Sequence, residues 1–139
     1  CETFSVARGE LLEDGSKGPP PLRSLQQMWG LHDVTFRQST QLTVGNTLYR
    51  TALHLAAAAA RFGCAAMIEH PDKATWKPSH PSSWLLPQTA NFVGTGLAKT
   101  ARIDQCMCGA PSKKPTRLLH EQNPRGREVA RATHPDRKE

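Results

Sequence analysis

The chain has 139 residues, of which 37% are hydrophobic and 6% aromatic, and it carries a formal net charge of +6. This length allows one domain, and the low hydrophobic content predicts a small core with much loop. No run reaches the ~18 apolar residues that a membrane-spanning helix needs. The alanine-rich stretch from Ala52 to Ala60 contains His54 and is followed by Arg61. No membrane anchor or signal peptide is visible in this sequence. From its cysteine content we expect an intracellular protein, with the nucleus open as its location.

The loop over residues 9 to 33 is the first predicted segment, with a short helical turn around Leu22 to Trp29. Thr35 is a candidate N-cap for a helix that Gly63 would terminate, since apolar residues recur between them at roughly helical spacing. Gly45-Asn46 weakens the middle of this helix. A kink or a division into two helices therefore stays open.

A short buried strand is predicted directly after Gly63, over Cys64 to Ile68, and Pro71 stops it. Helix, glycine and buried strand in this order are typical of an α/β protein. In open α/β sheets, ligands bind at the carboxyl ends of the strands. Glu69 follows the predicted strand and is therefore a candidate site residue.

Three further elements complete the prediction. Ser82 or Ser83 would cap a short helix through Trp84 to Val93. Thr100 to Gln105 reads as a second strand, and Thr116 to His120 as a returning strand that forms a hairpin with it.

The C-terminal end of the chain holds most of the net positive charge. Residues 113 to 139 contain eight Lys and Arg against four Asp and Glu, which gives +4 of the total. Such a basic segment attracts phosphate backbones through the release of counterions, without reading base sequence. A solvated, disordered terminus is the alternative. We expect a domain over residues 1 to 120 and a basic, disordered tail over residues 121 to 139.

The four cysteines, Cys1, Cys64, Cys106 and Cys108, do not form a framework of paired spacings. Reduced thiols are therefore expected. Cys106 and Cys108 are too close together for the usual zinc knuckle. A structural metal site made of these two cysteines and His120 is a weaker alternative, and we expect no metal.

Three segments hold reactive or polar residues in a fixed order. They are Cys1-x-x-Phe4-Ser5-x-Ala7, then Ile68-Glu69-His70-Pro71, then the stretch Gln105-Cys-Met-Cys-Gly-Ala-Pro-Ser-Lys-Lys-Pro-Thr116. Together they resemble the cytosine-5 DNA methyltransferases. The first resembles motif IV, Pro-Cys-Gln-x-Phe-Ser-x-Ala-Gly. The second resembles motif VI in its Glu-Asn-Pro variant, and the third resembles the Cys-Gln-Tyr-Gly...Lys-Pro-Thr stretch near motif VIII of phage-type members.

The resemblance implies roles for these residues. Cys1 would attack carbon 6 of a flipped cytosine, and Glu69 would engage ring nitrogen 3 and the 4-amino group. Lys113 and Lys114 would stabilise developing charge and hold phosphate. Ser5, Gln105 and Arg117 are further candidates for contacts with nucleic acid. They stand, in order, in the first segment, at the start of the third and just after its end.

The resemblance also implies a fold, a cofactor and a partner. The fold would be the C-terminal half of a doubly wound, Rossmann-like sheet with long loops rich in proline and glycine. The intact parent would transfer a methyl group from S-adenosylmethionine to carbon 5 of cytosine in DNA, and RNA stays open as a substrate.

Several departures from the family pattern limit this interpretation. His70 replaces the family's Asn, and Gln105-Cys-Met-Cys lacks the two arginines of motif VIII. The family's cofactor-binding glycine-rich turn precedes its cysteine, and Gly94-x-Gly96 is no substitute for it. We therefore expect a fragment or a degenerate copy with little or no activity alone. The alternative is a noncatalytic α/β remnant of a mobile element that binds nucleic acid.

Overall fold

The computed structural model describes residues 2–5, 8–11, 14–109 and 114–121. Cys1, Lys113 and the part of the basic tail over residues 122 to 139 lie outside them. The described residues form two α-helices, a three-stranded sheet and short 3-10 helices, so the predicted mixture of helix and sheet is confirmed.

Two compact units make up the chain. The first unit is Cys1–Thr51 with Lys73–Leu86, and the second unit is Ala52–Asp72 with Pro87–Glu139. The expected division into a domain over residues 1 to 120 and a basic tail over residues 121 to 139 stays a prediction.

Helix α1 spans Phe36–Arg61 and begins where the sequence predicts. Thr35 and Gln38 form a capping box, in which the Thr35 hydroxyl accepts from the Gln38 N–H at 3.3 Å and the Gln38 side chain accepts from the Thr35 N–H at 2.8 Å. The helix continues through Gly45-Asn46, and the Asn46 amide donates to a loop carbonyl at 2.8 Å. None of the described helices is long and apolar enough to cross a membrane.

The end of α1 fixes where the first strand can begin. Gly63 adopts a φ of 66°, and the Cys64 N–H donates to the Ala59 carbonyl at 2.8 Å, as in a Schellman motif. Because Cys64 closes the helix, strand β1 starts later than predicted and spans Met67–Pro71. Glu69 consequently lies within the strand and not after it.

The predicted helix from Trp84 to Val93 is divided. A 3-10 helix over Ser83–Leu85 is capped by the Ser82 hydroxyl, and helix α2 spans Pro87–Gly94. Leu86 between them has ψ of 134°, because a residue that precedes proline disfavours the helical region.

The sheet contains β1, β2 over Ala98–Asp104 and β3 over Pro115–Glu121, in the order β1-β3-β2. The predicted hairpin of the last two strands is confirmed, since β3 is antiparallel to β2. It is also antiparallel to β1. The two outer strands therefore run in the same direction, and their carboxyl ends lie at the same edge.

The loop of the first unit is ordered by turns. Ser24 and Gln27 exchange backbone hydrogen bonds, and the Gly30 N–H donates to the Gln27 carbonyl at 3.1 Å. Turns thus replace the predicted helical turn around Leu22 to Trp29. The core of this unit includes the rings of Phe4 and Tyr49, whose centroids are 6.1 Å apart.

Leu119, on the central strand, lies in the core of the second unit, and its truncation tests how much that core stabilises the fold. Its side chain is 1% exposed. We expect Leu119→Ala to lower the free energy of unfolding by roughly 2–4 kcal/mol, since the truncation leaves a cavity. Leu55→Ala, at a 66% exposed helix position, should change it by less than about 0.5 kcal/mol. Urea unfolding followed by circular dichroism measures both, and equal effects would contradict the burial of Leu119.

Candidate functional site

One edge of the sheet gathers residues from two of the three motif segments. At this edge β1 and β2 end and β3 begins, with Pro71 opposite Thr116 and Asp104 opposite Pro115. The Gln105 N–H donates to the Lys114 carbonyl at 3.1 Å. We call Glu69, Gln105 and Lys114 the sheet-edge site.

Glu69 and Gln105 make the side-chain contact of this site. The Gln105 Nε2 donates to the Glu69 Oε1 across 3.4 Å, which is long for a hydrogen bond. Glu69 is exposed, and Gln105 directly follows β2. The pair therefore offers a carboxylate and an amide to a ligand from solvent. Lys114 is exposed as well.

His70 lies beside Glu69 but on the opposite face of β1, because side chains alternate along a strand. It is 7% exposed, and burial lowers the pKa of its imidazole, with the nearby Lys114 acting in the same direction and Glu69 against it. A lowered pKa keeps the ring neutral at pH 7. His70 is thus suited to packing within the sheet and not to carrying a proton for a ligand.

A pH dependence of stability follows from His70. Its pKa is lower in the folded state, so the unfolded state takes up the proton first as pH falls below about 6.5. The stability contributed by the neutral ring is complete above that pH and is lost as pH falls. We expect His70→Asn to reduce the loss of unfolding free energy between pH 7.5 and pH 5, measured by urea titration. His32→Asn, at an exposed loop position, is the control, and an unchanged slope in the His70 variant would contradict the expectation.

Arg117, a predicted nucleic-acid ligand, is held by a buried carboxylate. Asp72, whose side chain is 2% exposed, accepts from the Arg117 Nε at 2.8 Å and from the Arg102 Nε at 2.9 Å. The two arginines are cross-strand neighbours, and like charges in that position repel each other. Asp72 therefore compensates a charge pair that the sheet forces together. The role of Arg117 in binding nucleic acid stays a prediction.

Asp72→Asn should destabilise the fold by roughly 1–3 kcal/mol, because it leaves the two arginines facing each other. This is below the cost of breaking a fully buried pair, since Arg102 is 55% exposed. Asp33→Asn, at an exposed loop position, is the matched control. Urea unfolding of the two variants side by side tests this, and equal midpoints would show that the ion pairs contribute nothing.

Ser5 lies in the first unit and lines a pocket of about 210 Å³, which we call the Ser5 pocket. Its polar lining includes Thr3, Ser5, Arg8, Arg23, Lys77 and His80. The motif named Ser5 as a candidate, but nothing in the sequence indicated that Arg23, Lys77 and His80 lie beside it. Those three come from separate stretches of the chain that no motif spacing connects.

The described cysteines give no support to a metal site. Cys64, Cys106 and Cys108 are exposed and are not joined in a disulfide. In the part of the chain that the structure describes, no three His, Cys, Asp or Glu side chains are grouped so that they could hold a metal ion. This holds for Cys106, Cys108 and His120, which are all described.

Gly94 and Gly96 do not form a cofactor-binding turn. A dinucleotide-type cofactor site needs a glycine-rich turn from a strand into a helix. Gly94 ends α2, and Gly96, with φ of 74°, precedes β2, so this pair forms a turn from a helix into a strand. No step through the cofactor is therefore assigned to these residues.

No protein-family model matches the chain, and comparisons with curated proteins and with solved structures give no significant match. The geometry of the sheet-edge site and of the Ser5 pocket is therefore the basis for a functional assignment.

Proposed function

We propose that the chain contains the base-recognising part of a cytosine-5 DNA methyltransferase-like protein, as a fragment or a degenerate copy. The observation that carries the proposal is the exposed Glu69 carboxylate, which contacts Gln105 at the carboxyl edge of the sheet. Both residues come from the motif segments, although 36 positions separate them along the chain.

The chemistry of cytosine favours a carboxyl group at this position. The ring is a poor electrophile, so attack at carbon 6 needs a proton shared with nitrogen 3. A protonated Glu69 would donate to nitrogen 3 and accept from the 4-amino group, which reads two adjacent atoms of the base at once. Gln105 would orient the carboxyl group from the side.

The strand directions support a ligand at this edge. β1 and β2 run in the same direction, and the connection between them contains α2. In open α/β sheets, ligands bind at the carboxyl ends of parallel strands. Here β3 lies between these two strands and is antiparallel to both, whereas the strands of a doubly wound sheet are mostly parallel. That the chain derives from a doubly wound, Rossmann-like fold is therefore part of the proposal.

The remaining roles rest on the resemblance. Cys1 would be the nucleophile, and Lys114 with Lys113 would hold phosphate. Methyl transfer from S-adenosylmethionine would belong to the intact parent. For this chain we propose recognition of cytosine in DNA, with RNA as a further substrate class.

Glu69 should give the chain a preference for cytosine in single strands. We expect tighter binding of an oligothymidine that carries one central cytosine than of oligothymidine alone, by about tenfold, in line with a bidentate base contact. Glu69→Ala should abolish the preference. Glu69→Gln should keep it, because an amide offers the same donor and acceptor as a protonated carboxyl group. Fluorescence anisotropy at fixed salt measures these ratios.

Asp33→Ala, at an exposed position, is the control and should bind like the unaltered chain. Equal affinity for both oligonucleotides, with strong salt dependence and no effect of Glu69→Ala, would refute the proposal. It would favour the noncatalytic nucleic-acid-binding remnant instead.

A further inference from the structure

Cationic side chains line the Ser5 pocket. Its lining contains the cationic side chains of Arg8, Arg23 and Lys77 together with the hydroxyls of Thr3 and Ser5, and none of the described lining residues is acidic. Cations and hydroxyl donors around one small volume are the groups that bind oxyanions.

Arg23 is the strongest evidence for an anion. It is 3% exposed, and its Nη atoms donate to the Met28 carbonyl at 2.7 Å and to the Thr3 hydroxyl at 2.8 Å. Its guanidinium also lies 3.9 Å from the centroid of the Phe4 ring. All three groups are neutral, and its Nε is buried with no hydrogen-bond partner among the described residues.

Burial lowers the pKa of Arg23 to about 10, so the guanidinium stays charged at neutral pH. A buried charge is costly unless an opposite charge compensates it. An anion in the pocket would supply that compensation.

The other walls of the pocket are fixed by contacts within the first unit. Arg8 donates to the Pro20 carbonyl at 3.1 Å and to the Gln41 side chain at 3.4 Å. The His80 Nε2 lies 3.0 Å from the Phe4 carbonyl. Lys77 forms an ion pair with Glu10, and both side chains are partly exposed. The charged groups are thus positioned before any ligand arrives, which lowers the cost of binding.

We propose that the Ser5 pocket binds a phosphate group. Its volume of about 210 Å³ is below the roughly 300–1,000 Å³ of pockets that enclose whole drug-sized ligands, so a single tetrahedral oxyanion fits it better than a complete nucleotide. The phosphate is free phosphate, a terminal monoester or a backbone diester. The proposal does not depend on Glu69 or on recognition of cytosine.

Inorganic phosphate is the first probe. At constant ionic strength, phosphate should raise the melting temperature of the chain in a concentration-dependent way, whereas chloride should not. Isothermal titration calorimetry should give an affinity that Arg23→Met weakens at least tenfold. Lys77→Met, at the partly exposed rim, should also weaken the affinity for phosphate. If Arg23→Met does not fold, the affinity of Lys77→Met tests the proposal instead. Lys99→Met, at an exposed position of β2, should bind like the unaltered chain.

The source of the phosphate is distinguished by dinucleotides with and without a 5′-phosphate. Tighter binding of the phosphorylated form indicates a terminal monoester, and equal binding of both indicates a backbone diester. Binding of inorganic phosphate but of neither dinucleotide indicates free phosphate. The proposal would be overturned if phosphate raised the melting temperature no more than chloride does. It would also be overturned if Lys77→Met and a folded Arg23→Met both bound phosphate as tightly as the unaltered chain.

Discussion

The position of β3 between β1 and β2 is the constraint on which the sheet-edge site depends. Because β3 is antiparallel to both neighbours, these two strands run in the same direction and end at one edge. Glu69 and Gln105 reach each other only through this arrangement. Without β3, the backbone groups of β1 and β2 that pair with it would have no partner in the sheet. The sheet and the site are therefore established by the same hydrogen bonds.

The same pairing creates an electrostatic cost that the fold resolves locally. It places Arg102 directly beside Arg117, and Asp72, next to the end of β1, bridges them from a nearly fully buried position. The Asp72 N–H also donates to the Pro115 carbonyl at 3.0 Å. Asp72 thus holds the edge of the sheet through both its backbone and its side chain, within a few residues of Glu69.

Local signals in the sequence predicted the two ends of α1, but they did not predict the start of β1 or the contacts between distant residues. Thr35 and Gly63 act within one turn of α1, so its ends could be predicted. The start of β1 could not, because it depends on Cys64 completing the helix cap. The contact of His80 with the Phe4 carbonyl joins residues 76 positions apart, and no spacing rule indicates it. The motifs therefore named candidate residues whose roles stay predictions, and they gave no indication of the residues that packing brings together.

Two arginines illustrate how partners decide what a cation can bind. Arg117 meets a buried carboxylate, so a phosphate would have to displace a strong charge-assisted hydrogen bond. Arg23 meets only neutral partners among the described residues, so an anion would relieve the cost of its burial. Phosphate binding is accordingly favoured at Arg23 over Arg117, which the sequence analysis names as a further candidate for contact with nucleic acid. Since Thr3 and Ser5 line the Ser5 pocket, the first motif segment contributes directly to this anion site whether or not Cys1 acts as a nucleophile.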